Sequence, residues 1–294
     1  MINLLIPTVA QGLLWALMAL GVYMTFRVLD IADLTVEGSF PLGAAVAAAL
    51  LTAGYGPVPA LAVAFVAGML AGVVTGVLHT KMKIPALLAG ILTMIALYSV
   101  NLRVMGKANI PLLGIDTTFK IVRAALGLDT GMTTLVVGVV TTIVVVVFLY
   151  WFYGTEIGSA VRATGFNQQM IRAQGVDTDN TIILGLLLSN GFVAASGALV
   201  AQSNGFADVG MGTGTIVIGL ASVIIGEVLF GTRSFLNSLI SVVLGSVVYR
   251  IVIAAVLAMG MPPNDLKLFT SVLVAIALAL PLIRDKLKPG KAVD

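Results

Sequence analysis

Hydrophobic runs long enough to cross a lipid bilayer recur along almost the whole of this 294-residue chain. Hydrophobic residues make up 59% of the sequence and charged residues only 10%, whereas soluble domains carry roughly 25% charged residues. In hydrocarbon every backbone polar group must be paired within the protein, so only helices and closed barrels can span it. Long apolar runs, rather than ten-residue alternations, select helices. The sequence therefore predicts an all-α polytopic membrane protein with about eight or nine transmembrane helices, forming one domain over residues 1–294.

The candidate spans are mostly about 18–25 residues long, which suits a bilayer core of about 30 Å. The second and the seventh are short, and a polar stretch that contains glycine precedes each of them. No basic region precedes the first run, so we expect a retained span rather than a cleaved signal peptide. The segments lie near 4–28, 39–54, 57–80, 84–105, 131–153, 181–203, 214–230, 235–258 and 266–283.

The first polar break lies between residues 27 and 41 and holds one basic and three acidic residues. At membrane depth such a segment is tolerated only where it meets protein or a water-filled cavity. Two interpretations stay open: a broken helix that lines a translocation path, or a cytoplasmic turn with solvated charges. Amides inside a span bridge helices more often than they touch substrate. The residues expected along a path are Asp33, Thr35, Glu37, Ser39, Phe40, Asn190 and Asn204.

The second polar break, residues 203–215, contains four glycines and a single charge, Asp208. The Gly-x-x-x-x-Gly-Lys-Ser/Thr pattern of a phosphate-binding loop occurs nowhere in the sequence, so this chain has no nucleotide loop of its own. A polar break, a short span, a turn and a long span follow one another in 33–80 and again in 204–258. This order predicts inverted repeats, about 1–105 and 181–283, with broken helices at their interface. Chance similarity among glycine-rich helices is the alternative.

Other polar residues in the spans invite simpler interpretations. Glu227 and Arg250 lie in the seventh and eighth spans, where an ionisable group is a functional candidate, but a mutual ion pair is the favoured reading. Gly68, Gly72 and Gly76 share one helix face and predict close packing against a neighbouring helix. With one histidine, no cysteine and no cluster of acids and bases outside the breaks, we expect neither a metal nor a cofactor in this chain, and no enzyme activity.

Basic residues are distributed unevenly between the two ends of the spans. One side collects nine Lys and Arg residues, including Lys81, Arg162 and the C-terminal tail, and the other collects five. The positive-inside rule places the first group in the cytoplasm, together with the 154–180 loop and the C-terminus. The net charge of +3 reflects this topology and contact with lipid head groups, so nucleic acid is not expected as a partner.

The loop 154–180 is the longest clearly polar run in the sequence, and it contains a short helix with signals at both ends. Asn167 can cap the N-terminus, and Gly175 can adopt the left-handed conformation that ends a helix. About two helical turns are too few to be stable alone in water. The pattern indicates a segment that docks on another protein.

Two motifs together resemble one family. Residues 33–45 read Asp-Leu-Thr-Val-Glu-Gly-Ser-Phe-Pro-Leu-Gly-Ala-Ala, and residues 155–167 read Thr-x-x-Gly-x-Ala-x-Arg-Ala-x-Gly-x-Asn. The first is similar to the second-helix region, and the second to the cytoplasmic coupling loop, of ABC importer permeases of the branched-chain amino acid and ribose type. The first motif most resembles a subgroup associated with tryptophan- or tyrosine-type binding proteins. Thr-Val-Glu-Gly-Ser replaces an Asn-Phe-Ala-His-Gly-type segment, which leaves the substrate class open.

This resemblance implies a permease homodimer in a bacterial inner membrane, with two ABC ATPase subunits and an extracytoplasmic substrate-binding protein. ATP and magnesium would bind the ATPase, and this chain would pass a small solute such as an aromatic or branched-chain amino acid. The rival hypothesis is a secondary transporter or channel without an ATPase. The residues that the resemblance assigns to ATPase coupling are Arg162, Gly165, Phe166, Asn167, Gln168, Ile171, Arg172 and Gly175.

Arg172→Glu, or a helix-breaking proline at Gln169, is expected to uncouple ATP hydrolysis from uptake while the protein still inserts into the membrane. The physical reason is that the short helix would no longer fit the ATPase. Parallel assays of substrate-stimulated ATPase activity and uptake check this expectation, and unchanged values for both would count against a coupling role.

Overall fold

The computed structural model describes residues 2–260, 262, 265, 268–272 and 275. The described part is almost entirely helical, with one two-stranded antiparallel sheet. The ninth predicted span, near 266–283, falls mainly outside the described residues. The elements in chain order are α1 (Ile2–Tyr23), a π-helical turn (Met24–Val28), α2 (Val36–Thr52), α3 (Pro57–Thr80), α4 (Ala86–Met105), β1 (Asn109–Pro111), α5 (Thr118–Leu126), α6 (Thr130–Gly154), α7 (Glu156–Phe166), α8 (Gln168–Ala173), α9 (Thr178–Asn204), β2 (Phe206–Asp208), a 3₁₀ turn (Val209–Gly212), α10 (Thr215–Phe230) and α11 (Phe235–Ala258).

Seven helical segments in the described part are long and apolar enough to cross a membrane, and α2 is a shorter apolar helix. This confirms the all-α polytopic class and the short second span. The lipid-facing character of α3, α4 and α6 is visible in the large apolar side chains that they expose, among them Leu70, Ile95 and Val144. Such exposure suits hydrocarbon, because in lipid an apolar surface needs no burial in protein.

Helix α9 is the centre of the bundle, and 83% of the 18-residue apolar segment within it is buried inside the protein. The glycine face of α3 packs directly on it, as the sequence predicted. A Cβ at Gly68 or Gly72 would overlap a carbonyl oxygen of α9, and one at Gly76 would lie 3.0 Å from the Cα of Ile183. The two backbones approach this closely because the facing positions carry no side chain.

Helices α2 and α10 begin beside each other and run in opposite directions. The Gly214 N–H, at the start of α10, donates to Glu37 in the first turn of α2 over 3.0 Å. Leu51, near the far end of α2, packs with residues of β1 and β2, whereas α10 ends beside Asn237, next to α7. Opposite polarity is what an inverted repeat requires, and the repeat itself stays a prediction.

The favoured ion pair between Glu227 and Arg250 is wrong. Glu227 pairs with Arg27 of the π-helical turn, whose Nε donates to its Oε1 over 3.0 Å. Helices α10 and α11 form an antiparallel hairpin in which Gly226 packs on Ser241. Arg250 lies nine residues beyond Ser241, about 14 Å further along α11 at ~1.5 Å per residue, so it cannot reach Glu227.

Gly72→Ala should destabilise the protein by about 1–3 kcal/mol, because the new methyl group collides with the Leu186 carbonyl oxygen and must push α3 away from α9. Leu70→Ala is the matched control on the same helix, since Leu70 is 62% exposed toward lipid. Thermal unfolding of the detergent-solubilised protein measures both. Equal stability of the two variants would contradict the tight α3–α9 contact.

Candidate functional site

The segment between α6 and α9 folds as two capped helices. Thr155 caps α7 by accepting from the Gly158 N–H over 3.2 Å, and Asn167 caps α8 by accepting from the Met170 N–H over 3.0 Å. Gly175 follows α8 with φ of 86°, the left-handed conformation that favours glycine. The predicted short helix and both of its end signals are thereby confirmed. Residues 156–166, for which no helix was predicted, form the longer helix α7.

Helix α7 rests on the chain where α1 ends. A Cβ at Gly165 would overlap the carbonyl oxygen of Val28 and would lie 2.8 Å from the Cα of Leu29. The hydroxyls of Thr164 and Thr181 lie 2.8 Å apart, which ties the same turn of α7 to α9. A displacement of α7 must therefore press on the segment that follows α1, because close-packed contacts leave no slack.

Helix α8 is held to α9 by one buried side chain and one charge cluster. Ile171 points inward and is buried. Arg172 donates through Nη2 to Asp179 over 3.3 Å and through Nε to the hydroxyl of Thr178. Lys81 and Lys83, from the α3–α4 connection, also pair with Asp179, over 3.4 and 3.6 Å. These basic residues, assigned to one side of the membrane by their sequence positions, do meet at one end of the protein.

The surface of α7 and α8 that faces away from the rest of the protein is short, and its centre is apolar. Phe166 is 90% exposed, and Met170, four residues later, is 43% exposed. The polar side chains of Gln168 and Gln169 flank them and are exposed as well. An aromatic residue extended from the surface and ringed by polar groups is typical of a hot spot that inserts into a partner.

The middle of the first polar break is buried, whereas Arg27 and Asp30 at its start are exposed. Asp33 is 3% exposed, and its Oδ1 accepts from the Thr35 N–H over 2.9 Å. Its Oδ2 accepts from Asn190 Nδ2 of α9 over 2.8 Å. The Oδ1 of Asn190 in turn accepts from the Ser39 hydroxyl over 2.6 Å. The carboxylate is thus satisfied by hydrogen bonds, and no basic side chain in the described part pairs with it.

Three threonine hydroxyls extend this network to two more helices. Thr35 Oγ1 lies 2.7 Å from Thr75 Oγ1 of α3, and the Thr75 hydroxyl donates to Thr93 of α4 over 2.9 Å. Thr35 and Ser39 are fully buried. The part of the break from Asp33 to Ser39 therefore joins α2, α3, α4 and α9 at one buried point, whereas Arg27 and Asp30 are exposed, as the solvated-turn interpretation expects.

A cavity of about 360 Å³ opens next to this network, beside the start of α2. Glu37 lines it from α2, Tyr98 and Asn101 line it from α4, and Thr213 lines it from the second break. The volume lies within the range of small-molecule sites, about 300–1,000 Å³. The arrangement can hold a small solute between one carboxylate, one amide and an aromatic ring.

Comparison with known proteins decides what this architecture belongs to. The family model described as "Branched-chain amino acid transport system / permease component" matches residues 4–279. This chain belongs to that family of ABC-type permeases. It is a permease component of an import system, a multi-pass membrane protein that works with ATPase and substrate-binding partners.

Two relatives of this permease carry descriptive names. The tyrosine transport system permease protein of Clostridioides difficile is 40% identical over 288 residues, which are 98% of this chain and 95% of the relative. The autoinducer 2 import system permease protein LsrC of Escherichia coli is 30% identical over 220 residues, or 74% of this chain and 61% of the relative. No solved structure matches the chain significantly.

The structure places the expected pathway residues of the permease in four different settings. Glu37 lines a cavity, whereas Asp33, Thr35, Ser39 and Asn190 form the buried network next to it. Phe40 is also buried, and its ring packs against Trp15 in a tilted arrangement, with 5.0 Å between the centroids. Asn204 is exposed at the end of α9. None of these contacts tests transport, so the pathway roles stay predictions.

The expected coupling residues divide between an inner and an outer set. Gly165, Ile171 and Arg172 contact the permease itself, and Arg162 stacks on Phe235, with its Cζ 4.6 Å from the ring centroid. Phe166 and Gln168 face outward. Two residues were missed by the sequence analysis: Met170 belongs to the exposed face, and Asp179 anchors it. Gln169, the position of the predicted helix-breaking proline, is exposed on the same face. Phe166 ends α7 and Met170 lies in α8, so no spacing within one helix pointed to this pair.

Asn190→Ala should destabilise the permease by about 1–3 kcal/mol, because it removes a hydrogen bond from the buried carboxylate of Asp33. Asn204→Ala, at the exposed end of the same helix, is the matched control and should be neutral. The midpoint of thermal unfolding in detergent reports the difference. A neutral Asn190→Ala variant would show that the network does not hold the break in place.

Proposed function

We propose that this permease imports an aromatic amino acid, with tyrosine as the first candidate, across a bacterial inner membrane. The observation that carries the proposal is the 40% identity, over nearly the full length of both chains, with a permease named for tyrosine transport. The chain itself carries out no bond chemistry. ATP and magnesium bind the partner ATPase, and this chain supplies the path and the coupling surface.

The face with α7 and α8 is assigned to the cytoplasm, and the C-terminus is proposed to lie there as well. The charge distribution supports this orientation, because Lys81, Lys83, Arg162 and Arg172 all lie at that end of the bundle. A cytoplasmic ATPase can then reach Phe166. The opposite end, with β1, β2 and α5, faces the extracytoplasmic binding protein.

The coupling surface acts as a lever on the first polar break. An ATPase pair that closes on ATP binding pulls the exposed Phe166–Met170 turn. The contact between Gly165 and Val28 passes this movement to the segment before α2. The Asp33 network, at the α2 end of this segment, stays fixed and acts as the pivot. Helices α2 and α10 then separate where the Gly214 N–H binds Glu37. Such a cycle requires that the ATPase bind α7–α8 with different affinity in its open and closed states.

The working unit is proposed to be a homodimer. Each copy offers one coupling surface, so two copies match two ATPase subunits and their single closing movement. A symmetric pair of permeases also places two copies of the Glu37 cavity about one twofold axis, the commonest symmetry of soluble homo-oligomers.

Phe166→Ala should uncouple the transporter. Loss of an exposed aromatic anchor costs about 2 kcal/mol or more of ATPase binding, so ATP-driven uptake of L-tyrosine into proteoliposomes should fall at least about thirtyfold. Leu87→Ala, an exposed apolar residue at the start of α4, is the matched control and should keep wild-type uptake.

Purification and uptake together distinguish an ABC permease from a secondary transporter. The complex should be purified from native membranes through a tag on this chain, and the co-purified subunit tested for ATP hydrolysis. Tyrosine flux that needs only the purified permease and an ion gradient would contradict the ABC mechanism. Equal uptake by the Phe166→Ala and wild-type complexes would contradict the coupling role of α7–α8.

A further inference from the structure

Arg250 is a membrane-embedded guanidinium without a counter-charge in the described part of the chain. Its Nε–H is buried and meets no acceptor there, and no described carboxylate forms an ion pair with it. Burying an ionisable side chain inside a span costs free energy unless the charge is paired, so an unpaired one is a candidate for a functional role. The fold retains this arginine about 12 Å before the end of α11, at ~1.5 Å per residue, well inside the helix.

An aromatic contact fixes the orientation of the Arg250 side chain. Its Cζ lies 4.1 Å from the ring centroid of Trp15, and Trp15 packs in turn against the buried ring of Phe40, with the two rings tilted by 36°. A guanidinium held over a ring face keeps those N–H groups that point away from the ring, and they can donate to an anion. Those donors have the geometry that grips a carboxylate with two parallel hydrogen bonds.

The donors lie at a cavity of suitable size and charge. Arg250 lines a cavity of about 330 Å³ together with Thr213, Gly214, Val217 and Tyr249. Thr213 and Gly214 directly precede α10, so the positive end of that helix dipole faces the same space. The positive end of α10 and the guanidinium both favour an anion, and the apolar and aromatic lining suits an uncharged side chain.

The neighbouring cavity carries the opposite charge. Thr213 lines both cavities, and Glu37 lines the other one from α2. The Gly214 N–H that donates to Glu37 belongs to the residue that lines the Arg250 side. A carboxylate and a guanidinium on the two sides of one short segment suit a solute that carries both an ammonium and a carboxylate group.

We infer that the Arg250 cavity is a binding site for the carboxylate of the transported amino acid, on its way through the permease. This inference rests on the proposed function, because it requires an amino acid as substrate. Arg250 binds the carboxylate through its N–H groups, and Trp15 positions the guanidinium. Glu37 receives the ammonium group on the adjoining side.

Trp15 provides a direct optical test, because the chain has only two tryptophans. In the Trp151→Phe background, in phosphatidylcholine nanodiscs, Trp15 emission should change saturably on titration with L-tyrosine and with 3-(4-hydroxyphenyl)propionate. Tyramine, which lacks the carboxylate, should give no change. Arg250→Gln should weaken the apparent affinity for L-tyrosine at least about tenfold, as expected for a lost charged hydrogen bond. Arg250→Lys, which keeps the charge but not the planar fork, should lie between.

Controls distinguish a substrate carboxylate from a lipid phosphate at Arg250, and they distinguish failure of this site from failure of the proposed function. Arg103→Gln removes an exposed arginine and should leave the titration unchanged. An equal response to tyramine and L-tyrosine, or no response to any probe, overturns the inference. A change of emission caused by phosphatidylglycerol alone would assign Arg250 to a lipid phosphate and also overturn the inference.

ATP-driven tyrosine uptake at the wild-type rate by the Arg250→Gln complex would contradict this site and leave the proposed function standing. Absence of tyrosine uptake by the wild-type complex would defeat the proposed function itself.

Discussion

The fold depends on how one acidic side chain is accommodated inside the bundle. Asp33 sits in a stretch without regular structure between two membrane segments, where neither its charge nor the local backbone can rely on water. The Thr35 backbone N–H and the Asn190 side chain donate to its two oxygens. The Ser39 hydroxyl donates in turn to the side-chain oxygen of Asn190. This requirement fixes where α2 begins and brings α9 to the centre. It also explains why the small residues of α3 must let that helix approach α9 so closely.

The same arrangement connects the α7–α8 surface with the interior of the bundle. The chain leaves α1 through a π-helical turn, touches α7 at Val28, is pinned at Asp33 and then forms the wall of the Glu37 cavity. A few residues therefore connect the exposed Phe166 surface with the cavity beside Glu37. The Arg27–Glu227 pair joins α1 to the end of α10 on the same face, so both broken segments are tied to the region that α7 contacts.

Local signals explain how much of this could be read from the sequence. The spans, the short second helix, the Asn167 cap, the turn at Gly175 and the glycine face of α3 follow from composition and spacing within one element. The partner of Glu227 could not be read in this way, because Arg27 lies 200 residues away in the sequence and only tertiary packing brings the two side chains together. The inward direction of Gly165 and Ile171 was equally hidden, since α7 and α8 form adjacent faces whose relative rotation is set by Val28 and α9. The burial of Asp33 in the first break was hidden for the same reason, because burial is a tertiary property, and the role of this break as the lining of a path stays a prediction.

The central claim is that movement of the α7–α8 surface opens the space between α2 and α10. Spin labels on the exposed residues Tyr98 of α4 and Val217 of α10 would flank the two cavities, and the chain contains no cysteine to interfere. Double electron–electron resonance on the assembled complex, with and without ATP, measures the distance between them. The account predicts a shift of the distance distribution on ATP binding that disappears in Phe166→Ala. An unchanged distribution during active uptake, or a shift that survives the loss of Phe166, would contradict it.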